Sequence, residues 1–457
     1  MKASFTSRVT KHTVTITPLT QSAFQKWKGA AASSRWVEAK RFQARMGEIC
    51  LLPNPQGGLE AVLLGLGDEH APWAYGALNS GLPPGRYRVD GDLPPERATD
   101  AGVGFGLGAY VFDRYKQAKE TGVELVWPEG ADRAAVTRLV ESTELVRDLI
   151  NTPAQDMGPA DLAAEIQKVG RVFGARTSVI EGPQLLKKNY PAVHAVGRAA
   201  AQAPRLIDLR WGRPSDPKVT LVGKGVCFDS GGLDLKPAQA MLLMKKDMGG
   251  AAIALGLARC IMDAKLRVRL RLLVPAVENA VSGNAFHPQD ILATRKGLTV
   301  EVGNTDAEGR LILADALAEA ASEQPEMILD FATLTGSARI ALGTEVPVLF
   351  SNDDDLAERV LESSVAAHDP VWRLPLFAPY KRHLESLVAD LSNTGSSKFG
   401  GAITAALFLE HFVGDVPWVH VDAMAYNLDA QPGRPVGGEA QSLRAFYRFL
   451  SERYAKQ

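Results

Sequence analysis

Positions 304–310 read NTDAEGR, and the run LILADALAEAA follows at once. Asp306, Glu308 and Arg310 alternate there with small residues, so two carboxylates and a guanidinium stand just ahead of a helical pattern. Thr305 and Glu308 fit the S/T-x-x-E capping box, in which a hydroxyl and a carboxylate satisfy free N–H groups at a helix start. Acidic residues in a first turn also suit the positive end of the helix dipole. Capping uses only the threonine and the glutamate and leaves Asp306 and Arg310 without a task.

Two further segments concentrate polar chemistry. GKGVCFDSGGLDLKP (223–237) carries Lys224, Asp229, Asp234 and Lys236, and MKKDMGGAA (244–252) places Asp247 after two lysines and before a glycine pair. Each has an ordinary reading: Asp247 as a helix N-cap, D-S-G-G as turn chemistry, Lys224 as a salt bridge to Asp229. Taken together, carboxylates gathered on strand-end loops repel one another unless compensated, and divalent cations are the natural compensation. The eight histidines (His12, His70, His194, His287, His368, His383, His411, His420) form no H-E-x-x-H and no close pair, and read as surface or core residues. Cys50, Cys227 and Cys260 offer no C-x-x-C, so any metal is held mainly by oxygen. Four acidic groups suffice for two ions at the ~3.5–4 Å spacing of paired hydrolytic metals. DSGG also suggests the nucleophile segment of chymotrypsin-like proteases, with Ser230 as attacker. Those proteins are antiparallel β-barrels, however, and have glycine where Phe228 stands. VGKG is a fragment of a phosphate loop, but Gly225 follows the lysine where Ser or Thr is required.

The elements that must position these groups alternate between strand and helix. EAVLLGLG (60–67) and VELVWP (123–128) read as strands, with helical spacing over 98–116 and 131–152. Beyond the Pro- and Gly-broken NTPAQDMGPADL (151–162), strand-length apolar runs at 205–211, 219–225, 269–277, 326–334 and 418–424 alternate with helical patterns at 251–264, 309–323, 356–367 and 403–413. The pattern predicts an α/β chain of two domains. The smaller N-terminal α/β domain covers 1–135 and a linker helix or hinge covers 136–155. The larger α/β/α catalytic domain, 156–457, has a mainly parallel central sheet. In such sheets chemistry sits at the carboxyl ends of strands.

The 457 residues carry a net charge of −1, so no global field steers the chain toward nucleic acid or anionic lipid. Residues 1–50 do hold nine Lys/Arg against Glu38 and Glu48; without clustered aromatics this reads as a solvated surface, with nucleic-acid binding the alternative. Sparse cysteines fit a reducing compartment. The N-terminus lacks the apolar stretch of a secretory signal, and no apolar run has membrane-spanning length. A cytoplasmic location is expected.

NTDAEGRL, GKGVCFDSGGLDLKP and MKKDMGGAA resemble the signature set of the leucyl (cytosol) aminopeptidase family, the M17 dizinc exopeptidases. The likeness extends through ATLTGSARIALG (332–343) and GGAITAALFLEHFV (400–413). The resemblance implies a metal-dependent aminopeptidase that releases leucine-like N-terminal residues, with a hydroxide bridging two divalent ions, Zn or Mn, as the attacking group. It implies that Asp229 and Glu308 contact both metals, that Lys224 and Asp247 complete one site, and that Asp306 completes the other. Lys236 and Arg310 would be the catalytic pair, the arginine holding a bicarbonate as general base. Met244 and Thr333 would line the pocket for the first side chain. It also implies a homo-hexamer acting on peptides. The chain departs from the family at QPGRPVGGEAQSLRAFYRFL (431–450), which replaces a G-A-T-G-type segment and is expected to border the substrate pocket.

Overall fold

The computed structural model describes residues 2–68 and 72–455; His70 lies outside them. The chain forms two compact units, Met1–Glu144 with Asn427–Val436, and Leu145–Tyr426 with Gly437–Gln457. The division falls inside one continuous helix, Arg133–Asn151, and a short C-terminal segment joins the first unit. Those ten residues are the centre of the atypical loop. Pro432 and Gly433 pack where a Cβ on Gly76 would lie 2.3 Å from the Gly433 nitrogen, and the Arg434 guanidinium sits 3.7 Å over the Trp73 ring. Stacking on a tryptophan ties this part of the loop into the first unit.

The first unit is built on six strands: β1 (Ser4–Thr6), β2 (Val14–Thr20), β3 (Ile49–Pro53), β4 (Leu59–Gly67), β5 (Gly85–Val89) and β6 (Val123–Val126). Their order is β1-β6-β5-β2-β4-β3, and every neighbouring pair is parallel except the edge pair β3–β4. Helical spacing reached to 116 in the sequence, but the helix stops at Gly108. Two short helices, α1 (Gln21–Lys26) and α2 (Ala31–Ala39), connect β2 to β3.

The second unit carries β7 (Arg176–Glu181), β8 (Arg205–Trp211), β9 (Lys218–Gly223), β10 (Gly225–Asp229), β11 (Arg269–Asn279), β12 (Ile291–Ala293), β13 (Thr299–Glu301), β14 (Met327–Ala332), β15 (Val348–Ser351), β16 (Trp372–Arg373), β17 (Leu391–Ser392) and β18 (Trp418–Asp422). The large sheet runs β16-β15-β18-β14-β9-β11-β8-β7, with β10 added on β11. Its centre is parallel, while β15, β8 and β7 pair antiparallel toward the edges. β12, β13 and β17 form a separate small sheet.

Strand alternation divides the faces of the large sheet. Ile328 and Ala332 join the cluster of Leu311, Leu313 and Phe408, from helices Glu308–Ser322 and Gly401–Val413. Phe331, on the other face, meets Phe446 of helix Leu443–Tyr454 edge-on. Both faces are thus covered, which explains the continuous apolar strands. Among the described residues no helix is long and apolar enough to cross a membrane.

One polar group lies deep under the first face. Asp330 is fully buried and accepts 2.6 Å hydrogen bonds from Trp418 Nε1 and from the His420 ring. Burial pulls the His420 pKa down, but the Asp330 carboxylate outweighs it and the net shift is upward. Removing one partner of such a pair strands the other, so Asp330→Ala should cost about 3–5 kcal/mol. Because the histidine's folded-state pKa is raised, its share of stability is complete at low pH and lost as pH rises through that value. Denaturant titrations should therefore show a larger penalty near about pH 6 than near about pH 9, and equal penalties would place the charge elsewhere.

Candidate metal centre

The acidic motifs meet where parallel strands end. β9 stops at Gly223 and passes directly to Lys224, whose N–H donates to Phe331 O (2.9 Å) of β14. β10 ends on Asp229, in register with Asn279. A short 3-10 turn, Met244–Met248, carries Asp247 and leads into helix Gly249–Asp263. The third motif follows β13 of the small sheet rather than a strand of the main sheet. β14 ends at Ala332, one residue before Thr333.

Capping does not explain the acids. Helix Glu308–Ser322 starts from Ala307 with no side-chain cap bond. Thr305 instead donates its hydroxyl to Gly231 O (2.6 Å) and accepts Asp234 N–H (2.8 Å). Asp234 returns the bond through Oδ2 to Thr305 N–H (2.7 Å), so this carboxylate fastens two loops together. Helix Gly249–Asp263 is likewise uncapped by Asp247. Asp229 does make the turn bond, accepting Gly231 N–H at 2.9 Å through Oδ1. Ser230 donates to Asn279 O (2.7 Å) and is tied into the turn.

Asp229, Asp306 and Glu308 each offer an oxygen within 4.8 Å of the others. Lys224 Nζ lies 2.7 Å from Asp247 Oδ2 and 3.0 Å from Glu308 Oε1, and donates to Thr333 O at 3.1 Å. Lys236 Nζ is 2.8 Å from Asp229 Oδ2 and also pairs with Asp306. Thr333 donates its hydroxyl to Asp247 Oδ1 at 2.7 Å. Lys224, Asp229, Asp247 and Glu308 are almost wholly buried, and Asp306 and Lys236 are half-buried. Met244 opens the same turn as Asp247 and is buried. Gly309 makes room for the first lysine, since a Cβ there would lie 2.6 Å from Lys224 Cε.

Charge is the defining property of this cluster. Burial pushes the Glu308 carboxyl up, helped by Asp229, to about 8. Burial and Asp229 likewise raise Asp306 to about 6. Asp229 itself is held below the usual range, because Lys224 and Lys236 overcome its desolvation. Burial opposes charge on both lysines, yet the surrounding carboxylates win and raise both, Lys236 to about 12. Asp247 Oδ2, Asp306 Oδ1 and both Glu308 oxygens are buried without a hydrogen-bond donor. Lysine ammonium groups lie against three of these four oxygens. Buried acceptors left open on converging carboxylates fit hard divalent cations, and a lysine amine among them suits Zn²⁺ or Mn²⁺.

Arg310 is the third residue of the helix that begins at Glu308. It is buried, its Nη1 donates to Asn393 O (2.7 Å), and its Nε has no partner. Burial lowers its pKa to about 10, against the pull of Glu308 and Asp422. No carboxylate among the described residues forms an ion pair with it, so its remaining donors are free for an anion.

Sequence reasoning overlooked the residues that hold the loop. Asn393 is fully buried. Its Oδ1 accepts Gly303 N–H (2.7 Å), its Nδ2 donates to Asn304 O (2.8 Å), and its carbonyl holds Arg310. Asn279 Nδ2 donates to Asp229 Oδ1 (2.9 Å) and Thr305 O (3.1 Å). Asp422 accepts Leu334 N–H (2.8 Å) and the Thr335 hydroxyl (2.7 Å), anchoring the segment that contains Thr333. An asparagine 83 positions from Arg310 carries no local signal of this task; only the fold brings it there.

The chain resembles known proteins over nearly its whole length. The model of the cytosol aminopeptidase family catalytic domain matches residues 144–446, and that of the M17 aminopeptidase N-terminal domain matches 14–128. A probable cytosol aminopeptidase of Syntrophotalea carbinolica is 37% identical, covering 96% of this chain and 95% of its own. The crystal structure of a cytosol aminopeptidase from Coxiella burnetii superposes with a TM-score of 0.94 at 48% identity, over 98% of this chain and 99% of that one. The bottromycin maturation enzyme BotP, solved in complex with Mn, gives 0.87 at 35% identity over 96% and 99%.

Asn393→Ala should cost about 1–3 kcal/mol, because it removes a buried amide that accepts Gly303 N–H and donates to Asn304 C=O at a part-buried loop. Denaturant titration measures this, and a variant as stable as the parent would mean the acidic loop stands without the amide.

Proposed function

The chain belongs to the cytosol aminopeptidase family and is a metal-dependent aminopeptidase, and from that premise we propose how its residues divide the work. Asp229 and Glu308 would contact both of two divalent ions, Zn or Mn. Lys224 and Asp247 would complete one site and Asp306 the other. The observation that carries this reading is the set of buried oxygens on Asp247, Asp306 and Glu308 without a hydrogen-bond partner, three of the four lying against lysine ammonium groups. Such a pair of ions supplies a water acidified to near-neutral pKa and polarises the scissile carbonyl.

The protein's own groups supply the rest. Lys236 keeps its proton because Asp229 and Asp306 stabilise it, so it is a fixed cation for the oxyanion that develops on the substrate. Arg310, with donors to spare, would hold a bicarbonate that relays the proton to the leaving amine. Met244 and Thr333 would shape the pocket for the first side chain, and a preference for apolar, leucine-like residues follows the family resemblance. Lys224 ligates only as a neutral amine, yet in the metal-free site the carboxylates hold its proton firmly. Ion and proton therefore compete for one set of carboxylates. Hexameric assembly and a cytoplasmic setting accompany the reading on family grounds.

Full chelation should abolish hydrolysis of aminoacyl-p-nitroanilides, and adding back Zn²⁺ or Mn²⁺ should restore it; undiminished turnover without metal would end the proposal. Within the same assay Arg310→Ala should slow turnover by roughly 10²-fold or more while bound metal stays at the parental level. Asp229→Ala should lose metal outright. Equal metal loss in both would make Arg310 structural.

Metal uptake should also release protons. Glu308, near 8, and Asp306, near 6, carry protons increasingly as pH falls, so apparent affinity should weaken from about pH 9 to about pH 6. Calorimetric titration in buffers of different ionisation enthalpy measures the proton count, and a pH-independent affinity would contradict the assignment of these two carboxylates.

A further inference from the structure

A second cavity lies in the N-terminal unit, under the corner between α1 and α2. Its volume is about 500 Å³, within the range of small-ligand sites. Phe24, Trp27, Val37 and Phe42 supply apolar walls. Phe24 meets Phe42 edge-on with centroids 5.1 Å apart, and Gly29 lets the chain close over the indole, since a Cβ there would lie 2.3 Å from the Trp27 ring. These walls continue into the small apolar core of Leu19, Cys50 and Leu63, so the cavity has a hydrophobic floor and an open mouth.

At that mouth stand one carboxylate and one guanidinium. Glu38 and Arg41 both line the cavity and both are exposed. They are three positions apart at the end of α2, yet do not pair with each other. Among the described residues neither side chain takes part in an ion pair or hydrogen bond. The end of α2 fixes where they point. Phe42 N–H donates to Val37 O (3.2 Å) and Arg41 N–H to Glu38 O (2.9 Å), a Schellman closure with Arg41 in the left-handed position at φ +54°. The accompanying Phe42–Val37 contact forms the apolar wall itself. Complementing the helix dipole does not require Arg41, because Lys40 already stands at the C-cap. Lys265 and Gln324 also adopt positive φ, so strain at Arg41 is not the argument; it supplies a clean variant.

A net-neutral mouth with separated opposite charges over an aromatic floor matches a small zwitterion with an apolar side chain. We propose that this cavity binds a free apolar α-amino acid, its carboxylate on Arg41, its ammonium on Glu38 and its side chain among Phe24, Trp27, Val37 and Phe42. The site is separate from the metal centre. It rests on the aminopeptidase reading only for the choice of leucine, the class of product such an enzyme releases, as the probe.

Equilibrium dialysis of labelled L-leucine against the full chain tests it, with the parent compared against Arg41→Gly and Glu38→Gln. Glycine suits the left-handed position, so Arg41→Gly should hold or raise the melting temperature while one leucine per chain is lost. Glu38→Gln should weaken that binding at least tenfold with the melting temperature unchanged, and N-acetyl-L-leucine, which has no ammonium, should fail to compete for it. Turnover of aminoacyl-p-nitroanilides should stay at the parental level in both variants. Leucine binding that is identical in all three proteins overturns the proposal, whether one or two molecules bind. A chain without any peptidase activity would refute the functional reading but leave this comparison intact.

Discussion

Uncompensated negative charge in a low-dielectric interior is the constraint around which the second unit is organised. Asp229, Asp247 and Glu308 converge with almost no access to water and the half-buried Asp306 joins them, and carboxylates so placed cannot all stay ionised alone. The protein answers with Lys224 and Lys236, each touching two of the acids. Two ammonium groups against four carboxylates leave an excess of negative charge, which adds to burial in raising Glu308 and Asp306. The cluster is thus poised for additional positive charge.

Holding like charges together requires stiffness, and that need shapes the surrounding backbone. Gly231 and Gly232 turn the chain through positive φ after β10; a Cβ on Gly232 would come within 2.8 Å of Asn279 Oδ1. Thr305 with Asp234, Asn279 with Asp229, and Asn393 with the 303–307 loop act as polar rivets from distant parts of the chain. The two asparagine ties use neutral amides, so they add nothing to the unbalanced charge. Repulsion among the acids is then resisted by hydrogen bonds that water cannot easily compete for.

Much of this was legible in the sequence, and what escaped has identifiable physical causes. The buried central strands announced themselves because both their faces are covered: 205–211 is β8 to the residue, and 418–424 contains β18. The acidic residues were legible because charge at strand ends is conspicuous among apolar runs. β1, β12, β16 and β17 were missed, being strands of two or three residues held by partners rather than by a pattern of their own. The S/T-x-x-E signal at Thr305 misled because tertiary bonds to Gly231 and Asp234 outbid the local cap. Helical spacing over 98–116 overran since the apolar residues after Gly108 continue the pattern without continuing the helix. Asn393 could not have been found, because its importance lies in four groups of one loop that sequence distance conceals.

The two lysines differ in a way that bears on how the site works. Lys236 bridges Asp229 and Asp306 at the half-buried mouth, where it can remain an ammonium beside whatever occupies the centre. Lys224 lies beneath, fully enclosed between Asp247, Glu308 and the Thr333 carbonyl, with Gly309 cleared to admit it. Its ammonium occupies the space between the carboxylates and keeps them from splaying, so the donor set stays assembled before any cation arrives. On the proposed ligand set, an incoming cation would take over that role and displace the proton, turning Lys224 from placeholder into ligand. The same buried negative charge thus preorganises the site in one state and makes it selective for multiply charged ions in the other, since a monovalent ion would gain little by displacing an ammonium already held by two acids.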